Sequence, residues 1–174
     1  MAPVYGNILL TGTTCTGKST LAKELAQCTE MEWIDINSLA LQENLFKTVD
    51  NKVQSSIIDD HKVIKFLRPK IKLGGNIIEC QSSNLFARHN WFCAVFVPRT
   101  DLSILYDRLE HKGHAGSSMK NNIESELFEV LLVEAYKSFR PKIIYEIYNN
   151  TEEDIAKNVE FIISILHKKK PFHG

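Results

Sequence analysis

The chain has 174 residues, 44% of them apolar, with lysine plus arginine and aspartate plus glutamate at 21 each. That length suits one α/β domain with a proper core and is short for two. Balanced charge supplies no general argument for a nucleic-acid or membrane-surface partner, and no apolar run approaches a membrane span. Cys15, Cys28, Cys80 and Cys93 show neither C-x-x-C pairing nor zinc spacing, and no N-terminal stretch has the look of a signal peptide. They read as reduced thiols of the cytosol or nucleus.

The predicted elements alternate. Ile8–Thr11 is a buried strand and Lys18–Cys28 a helix. Met31–Ile36 reads as a second strand with Asp35 near its end, and Asn37 or Ser38 caps a helix carrying Leu39, Leu41, Leu45 and Phe46. A polar stretch, Lys47–Ser56, follows. Asp59 or Asp60 opens a helix with Val63, Ile64, Phe66, Leu67 and Ile71 on its apolar face; Pro69 should kink it and Gly74-Gly75 end it. Asn76–Cys80 and Phe92–Val97 look like interior parallel strands. Asp101 caps the next helix, Gly113–Ser118 is a loop of lid size, and Met119–Phe139 is one long amphipathic segment. Ile143–Tyr148 is the last strand and Thr151–His167 the last helix, with Lys168–Lys170 at its C-terminal end. The pattern predicts an α/β fold with a mostly parallel sheet, ligands binding at its carboxyl edge.

Between the first strand and helix stands Gly12-Thr13-Thr14-Cys15-Thr16-Gly17-Lys18-Ser19, the G-x-x-x-x-G-K-[ST] pattern of a phosphate loop. Backbone N–H groups of such a loop form a nest for a polyphosphate, the lysine reaches the β/γ oxygens and the Ser19 hydroxyl ligates Mg²⁺. The implied ligand is a nucleoside triphosphate. A GTPase should carry N/T-K-x-D on a late strand, whereas Tyr148-Asn149-Asn150-Thr151 lacks the lysine and the aspartate. Small-molecule kinases remain.

Several stretches carry a closer likeness: Asn7-Ile8-Leu9-Leu10-Thr11-Gly12-Thr13, Val95-Phe96-Val97 with Arg99-Thr100-Asp101, Leu105 to Glu110, and Asn122-Ile123 followed by Glu126-Leu127-Phe128-Glu129-Val130-Leu131. On these the chain resembles the adenylate kinase isoenzyme 6 family, coilin-interacting nuclear ATPases of small-ribosomal-subunit maturation. The resemblance implies a three-layer nucleoside-monophosphate-kinase fold over residues 1–174, with a monophosphate-binding insertion at about 35–58 and a short lid at about 111–120. It implies transfer of the ATP γ-phosphate to AMP, ATP hydrolysis, and action in 18S rRNA processing with a small-subunit ribosomal protein, in nucleus and cytoplasm. Carried over, Gly12, Cys15, Gly17, Lys18, Ser19, Thr20, Arg108 and Lys112 bind ATP, and Lys18, Arg108 and Lys112 serve catalysis. Ser19 with Glu79 and Asp101 holds Mg²⁺. Neither a membrane nor a nucleic-acid site is implied, since the Lys168–Lys170 cluster is short.

The chain departs from that family at four places. Thr14 and Cys15 replace a proline and a glycine, and Glu79-Cys80-Gln81 replaces Asp-Tyr-His. Leu41 stands where Asp-Leu-Ala-Arg has its arginine, so a bidentate grip on the acceptor phosphate is missing. Lys112 replaces an arginine, keeping charge without the planar fork. ATP use should therefore survive better than AMP use, with two alternatives open: a weakened nucleotide-binding assembly factor, or a kinase of another small acceptor. His89, His111 and His114 read as surface residues, and Trp91, Phe92 and Phe96 as core.

Overall fold

The structure is a computed structural model describing residues 5–49 and 53–169. Its chain order is β1 (Ile8–Thr11), α1 (Lys18–Thr29), β2 (Glu32–Asp35), α2 (Ile36–Glu43), β3 (Phe46–Val49), β4 (Val53–Ile58), α3 (Asp60–Ile71), β5 (Asn76–Cys80), β6 (Ala94–Arg99), α4 (Leu102–His111), α5 (Gly116–Leu127), α6 (Val130–Ser138), β7 (Ile144–Tyr148) and α7 (Glu152–Lys168). Short 3₁₀ turns precede β6 and β7.

Five strands form one parallel sheet in the order β2-β5-β1-β6-β7. Side chains alternate across a strand, so a run such as Ile8-Leu9-Leu10, wholly buried, must feed two cores. Leu9, Ile78, Val95 and Val97 pack with α2, α3 and α6 on one face, while Ile8, Leu10, Ile77 and Phe96 pack with α1 and α7 on the other. This is the expected three-layer arrangement. The sheet register sets Asp35 beside Glu79 and Thr11 beside Cys80, all at the carboxyl edge.

Several expectations change in detail. Asp35 itself caps α2, accepting from the Asn37 N–H, so neither Asn37 nor Ser38 is the cap. The polar stretch after α2 holds the antiparallel hairpin β3–β4 rather than irregular chain; its residues 50–52 lie outside the described residues, as does Lys170 of the terminal lysine cluster. Phe46 belongs to β3, not to the helix. α3 runs through Pro69 to Ile71: the proline removes only the bond to the Lys65 carbonyl, and it lies so near the C-terminus that a single helical residue pair follows it. β6 ends at Arg99, two residues beyond the expected strand. α5 begins at Gly116, inside the expected lid loop, and the long segment after it breaks at Glu129, whose φ of 54° is left-handed and cannot propagate a right-handed helix. Asp101 occupies the N-cap position of α4 without a side-chain capping bond.

α7 opens with a capping box between Thr151 and Asp154, which the Glu-Glu-Asp run in its first turn reinforces. Hydrogen bonds from the Thr151 and Asn150 backbone hold the Asp154 carboxyl below the usual aspartate range. A depressed carboxylate stabilises the fold above its unfolded value and loses that contribution as pH falls through its folded value. Asp154→Asn should therefore lower the melting temperature at neutral pH, and the gap should close as pH drops below the ordinary aspartate range, as followed by circular dichroism.

Candidate nucleotide site

The phosphate loop joins β1 to α1. Gly12 has φ 147° and Gly17 φ 90°, and a Cβ on Gly17 would lie 2.0 Å from the Asn149 amide nitrogen. That amide is buried and donates to the Thr16 carbonyl at 2.9 Å. Gly17 is thus required by a side chain packed behind the loop as well as by the ligand in front of it. Cys15, where the resemblance implies a glycine, adopts φ 66°. A left-handed conformation costs a residue bearing a Cβ about 1–2 kcal/mol, a cost that a glycine would not carry.

Lys18 is only 7% exposed, and its ammonium donates to the Gly12 and Thr13 carbonyls at 2.8 Å each. Burial holds it below the usual lysine range, opposed chiefly by the charge of Glu79 and less by that of Glu126. The side chain spans its own loop, so it serves structure as well as ligand. Ser19 donates to Glu79 Oε1 at 2.7 Å, and the Trp33 indole donates to Glu79 Oε2 at 3.0 Å. Burial raises the Glu79 carboxyl above the ordinary glutamate value, while Ser19, Lys18 and Trp33 hold it down. Next to it the Cys80 thiol is pushed up to about 12 by burial and stays protonated at neutral pH.

A cavity of about 920 Å³ opens over the loop. Of the expected residues, Cys15, Gly17, Lys18, Ser19, Thr20, Glu79, Arg108 and Lys112 line it. Gly12 is buried beneath, at the end of β1. Arg108 is fastened to backbone carbonyls: Nη1 donates to Asn149 at 3.0 Å and weakly to Cys15 at 3.4 Å, and Nη2 donates to Asn150 at 2.8 Å. Asp101 is not brought to the site; it is exposed at the start of α4, and its N–H is bound by Asn150 Oδ1 at 2.8 Å. Asp35 is on the cavity wall next to Glu79, set there by strand pairing, and Asp107 and Glu152 line the wall farther along. For Asp35, its place at a strand's carboxyl end was the available signal. His111, read as a surface residue, also lines the cavity, as do Asn37 and Gln81. Leu41 does not; it is 73% exposed, one helical turn beyond Asn37.

Among the described residues no cluster of three metal-ligating acids, histidines or cysteines exists. Mg²⁺ does not need one, since it takes one or two carboxylates or hydroxyls, waters and substrate phosphates. The all-oxygen pair of Ser19 and Glu79, beside Asp35, fits that mode, and the cation would arrive with the nucleotide.

A parallel sheet with this loop at its carboxyl edge, a buried loop lysine and a serine–glutamate pair beside it define a phosphate-loop kinase, an enzyme of the phosphotransferase class. The shikimate kinase of Bacteroides thetaiotaomicron has the same fold, with a TM-score of 0.64 at 17% identity over 93% of this chain and 98% of its own. That of Aquifex aeolicus scores 0.60 at 16% identity over 94% and 99%. A family model described as AAA domain matches residues 8–129. The adenylate kinase isoenzyme 6 homolog of Dictyostelium discoideum is 37% identical over 156 residues, covering 90% of this chain and 89% of its own. The homolog of Schizosaccharomyces pombe is 35% identical, with 96% and 95% covered, and the homolog FAP7 of Saccharomyces cerevisiae is 30% identical, with 92% and 82% covered. The chain belongs to the adenylate kinase isoenzyme 6 family.

Lys18→Met should abolish ATP affinity in calorimetry while the protein stays folded. Unpaired Gly12 and Thr13 carbonyls should cost no more than about 1–3 kcal/mol in denaturant unfolding. Retained ATP affinity would remove the loop assignment.

Proposed function

We propose that this protein uses Mg²⁺ and ATP to phosphorylate AMP weakly, hydrolyses ATP comparatively readily, and acts in 18S rRNA processing and small-ribosomal-subunit maturation in nucleus and cytoplasm. The observation that carries the chemical half is an uneven distribution of charge around one cavity. Lys18, Arg108 and Lys112 stand on the walls built by the phosphate loop and α4, where Asp107 and, from α7, Glu152 only partly offset them, whereas the walls from β2, α2 and β5 present Asp35, Asn37, Glu79 and Gln81 and no cation. Phosphoryl transfer leaves little covalent work to a protein, so cations placed on the transferring group carry most of the rate. The donor half has three; among the described residues the acceptor half has carboxylates and amides and no cation. An AMP phosphate there meets like charge and finds no guanidinium. Water needs no such grip.

The biological half rests on the resemblance and on kinship with FAP7 and the other homologs. Affinity purification of the tagged protein should recover a small-subunit ribosomal protein or a pre-ribosome. Repeated recovery of neither would remove that half.

The enzymatic test is ADP formation at saturating ATP across an AMP titration. Side chains on a helix lean toward its N-terminus, so an arginine at 41 extends back over the turn that begins at Asn37. One regained charge-assisted phosphate contact contributes about 1.5–3 kcal/mol, so Leu41→Arg should lower the apparent KM for AMP roughly ten- to a hundredfold. Tight, fast AMP phosphorylation by the wild type, unaltered in Leu41→Arg, would show that another residue holds the acceptor phosphate.

A further inference from the structure

Two of the motifs that mark the family, Arg99-Thr100-Asp101 and the run from Glu126, have no part in the cavity wall. The structure joins them. Glu126, 4% exposed near the end of α5, receives Arg99 Nε on Oε1 at 2.6 Å and the Thr100 N–H on the same oxygen at 3.2 Å, while Arg99 Nη2 donates to the Glu126 carbonyl at 2.9 Å. Burial works against the Arg99 charge, yet Glu126, Glu129 and Glu146 together hold it above its ordinary value. Arginine and carboxylate commonly meet two bonds to two bonds. Here the second carboxylate oxygen is given instead to the phosphate loop: Thr13 Oγ1 donates to Glu126 Oε2 at 2.8 Å.

Thr13 is 1% exposed and sits at the centre of the loop's own bonding. Its carbonyl receives Lys18 Nζ and the Thr16 hydroxyl, each at 2.8 Å. Glu126 therefore touches, through one residue, the carbonyl that fixes the loop lysine. At its other end α5 begins at Gly116, just after the connection that follows Lys112 on the cavity wall. A helix is stiff over this length, so one buried carboxylate ties the short lid connection to the phosphate nest.

We infer that Glu126 is a positioning residue that couples α5 to the phosphate loop by holding Thr13, so that nucleotide binding and the docking of α5 strengthen each other. Such coupling is reciprocal: whatever ATP gains from an ordered Thr13, α5 gains from bound ATP. The inference rests on the nucleotide site proposed above and adds a residue that the cavity does not contain.

Thr13→Val removes the donor at nearly constant volume and leaves the Arg99–Glu126 pair in place, and Thr13→Ser keeps the donor. ATP affinity is read by calorimetry, and backbone hydrogen exchange over residues 116–128 is read with and without ATP, all on the full chain. Thr13→Val should weaken ATP binding about tenfold, the size of one buried charge-assisted bond. ATP should slow exchange across 116–128 in the wild type and in Thr13→Ser, but not in Thr13→Val. Should Thr13→Val fail to fold, Thr13→Ala, which leaves space for a water against the carboxylate, is held to the same expectations. Unchanged ATP affinity, or lower stability with the ATP-dependent protection of 116–128 intact, overturns the coupling and leaves Glu126 a purely structural ion pair. A wild type with no ATP affinity removes the nucleotide reading first and this inference with it, and is distinguished by the wild-type titration alone.

Discussion

A lysine ammonium buried inside a backbone loop is the constraint on which the rest of this molecule depends. Lys18 is held by two carbonyls of its own loop, and a buried cation is tolerable only where its hydrogens are satisfied and negative potential lies near. Each neighbouring feature supplies part of that. Gly12 and Gly17 let the backbone turn its carbonyls toward Lys18, Asn149 supports the loop from behind, and Glu79 and Glu126 supply charge from opposite sides. The loop's shape is thus held by bonds internal to the fold, and an ordering cost met in folding is not charged again to binding.

How much of this was legible in the sequence depends on the range of the interaction. The strands of the sheet, the phosphate loop and the helix leaving it are local patterns, and residues 8–11 and 18–29 fall where hydrophobic period and motif put them. Cap residues and helix breaks were less legible. Asp35 and Asn37 both satisfy cap chemistry, and only the place where β2 stops decides between them. The hairpin β3–β4 was hidden because a strand pair away from the main sheet lacks the apolar run that betrays a buried strand.

The site divides in the same way. Lys18, Ser19, Glu79, Arg108 and Lys112 share one cavity because motif and strand end carry them there. Asp101 stands off the cavity wall, since a residue after a strand can face the cavity or turn into the next helix, and the Asn150 side chain holds it on the second course. Asp35, Asn149 and Glu126 owe their roles to partners more than forty residues away, through strand register or through a single buried hydrogen bond. No spacing in the chain announces such partners. The departures from the family also acquire physical content: Cys15 bears backbone strain that glycine would not, and Leu41 lies exposed along the helix face that Asn37 begins.

On the function proposed above, the two halves of one cavity differ, with ATP recognition kept and recognition of the acceptor phosphate weakened. Equilibrium calorimetry on the wild-type protein, titrating ATP with Mg²⁺ and AMP separately, measures that difference without relying on turnover. ATP should saturate the protein at a far lower concentration than AMP. AMP binding as tight as ATP would contradict the account.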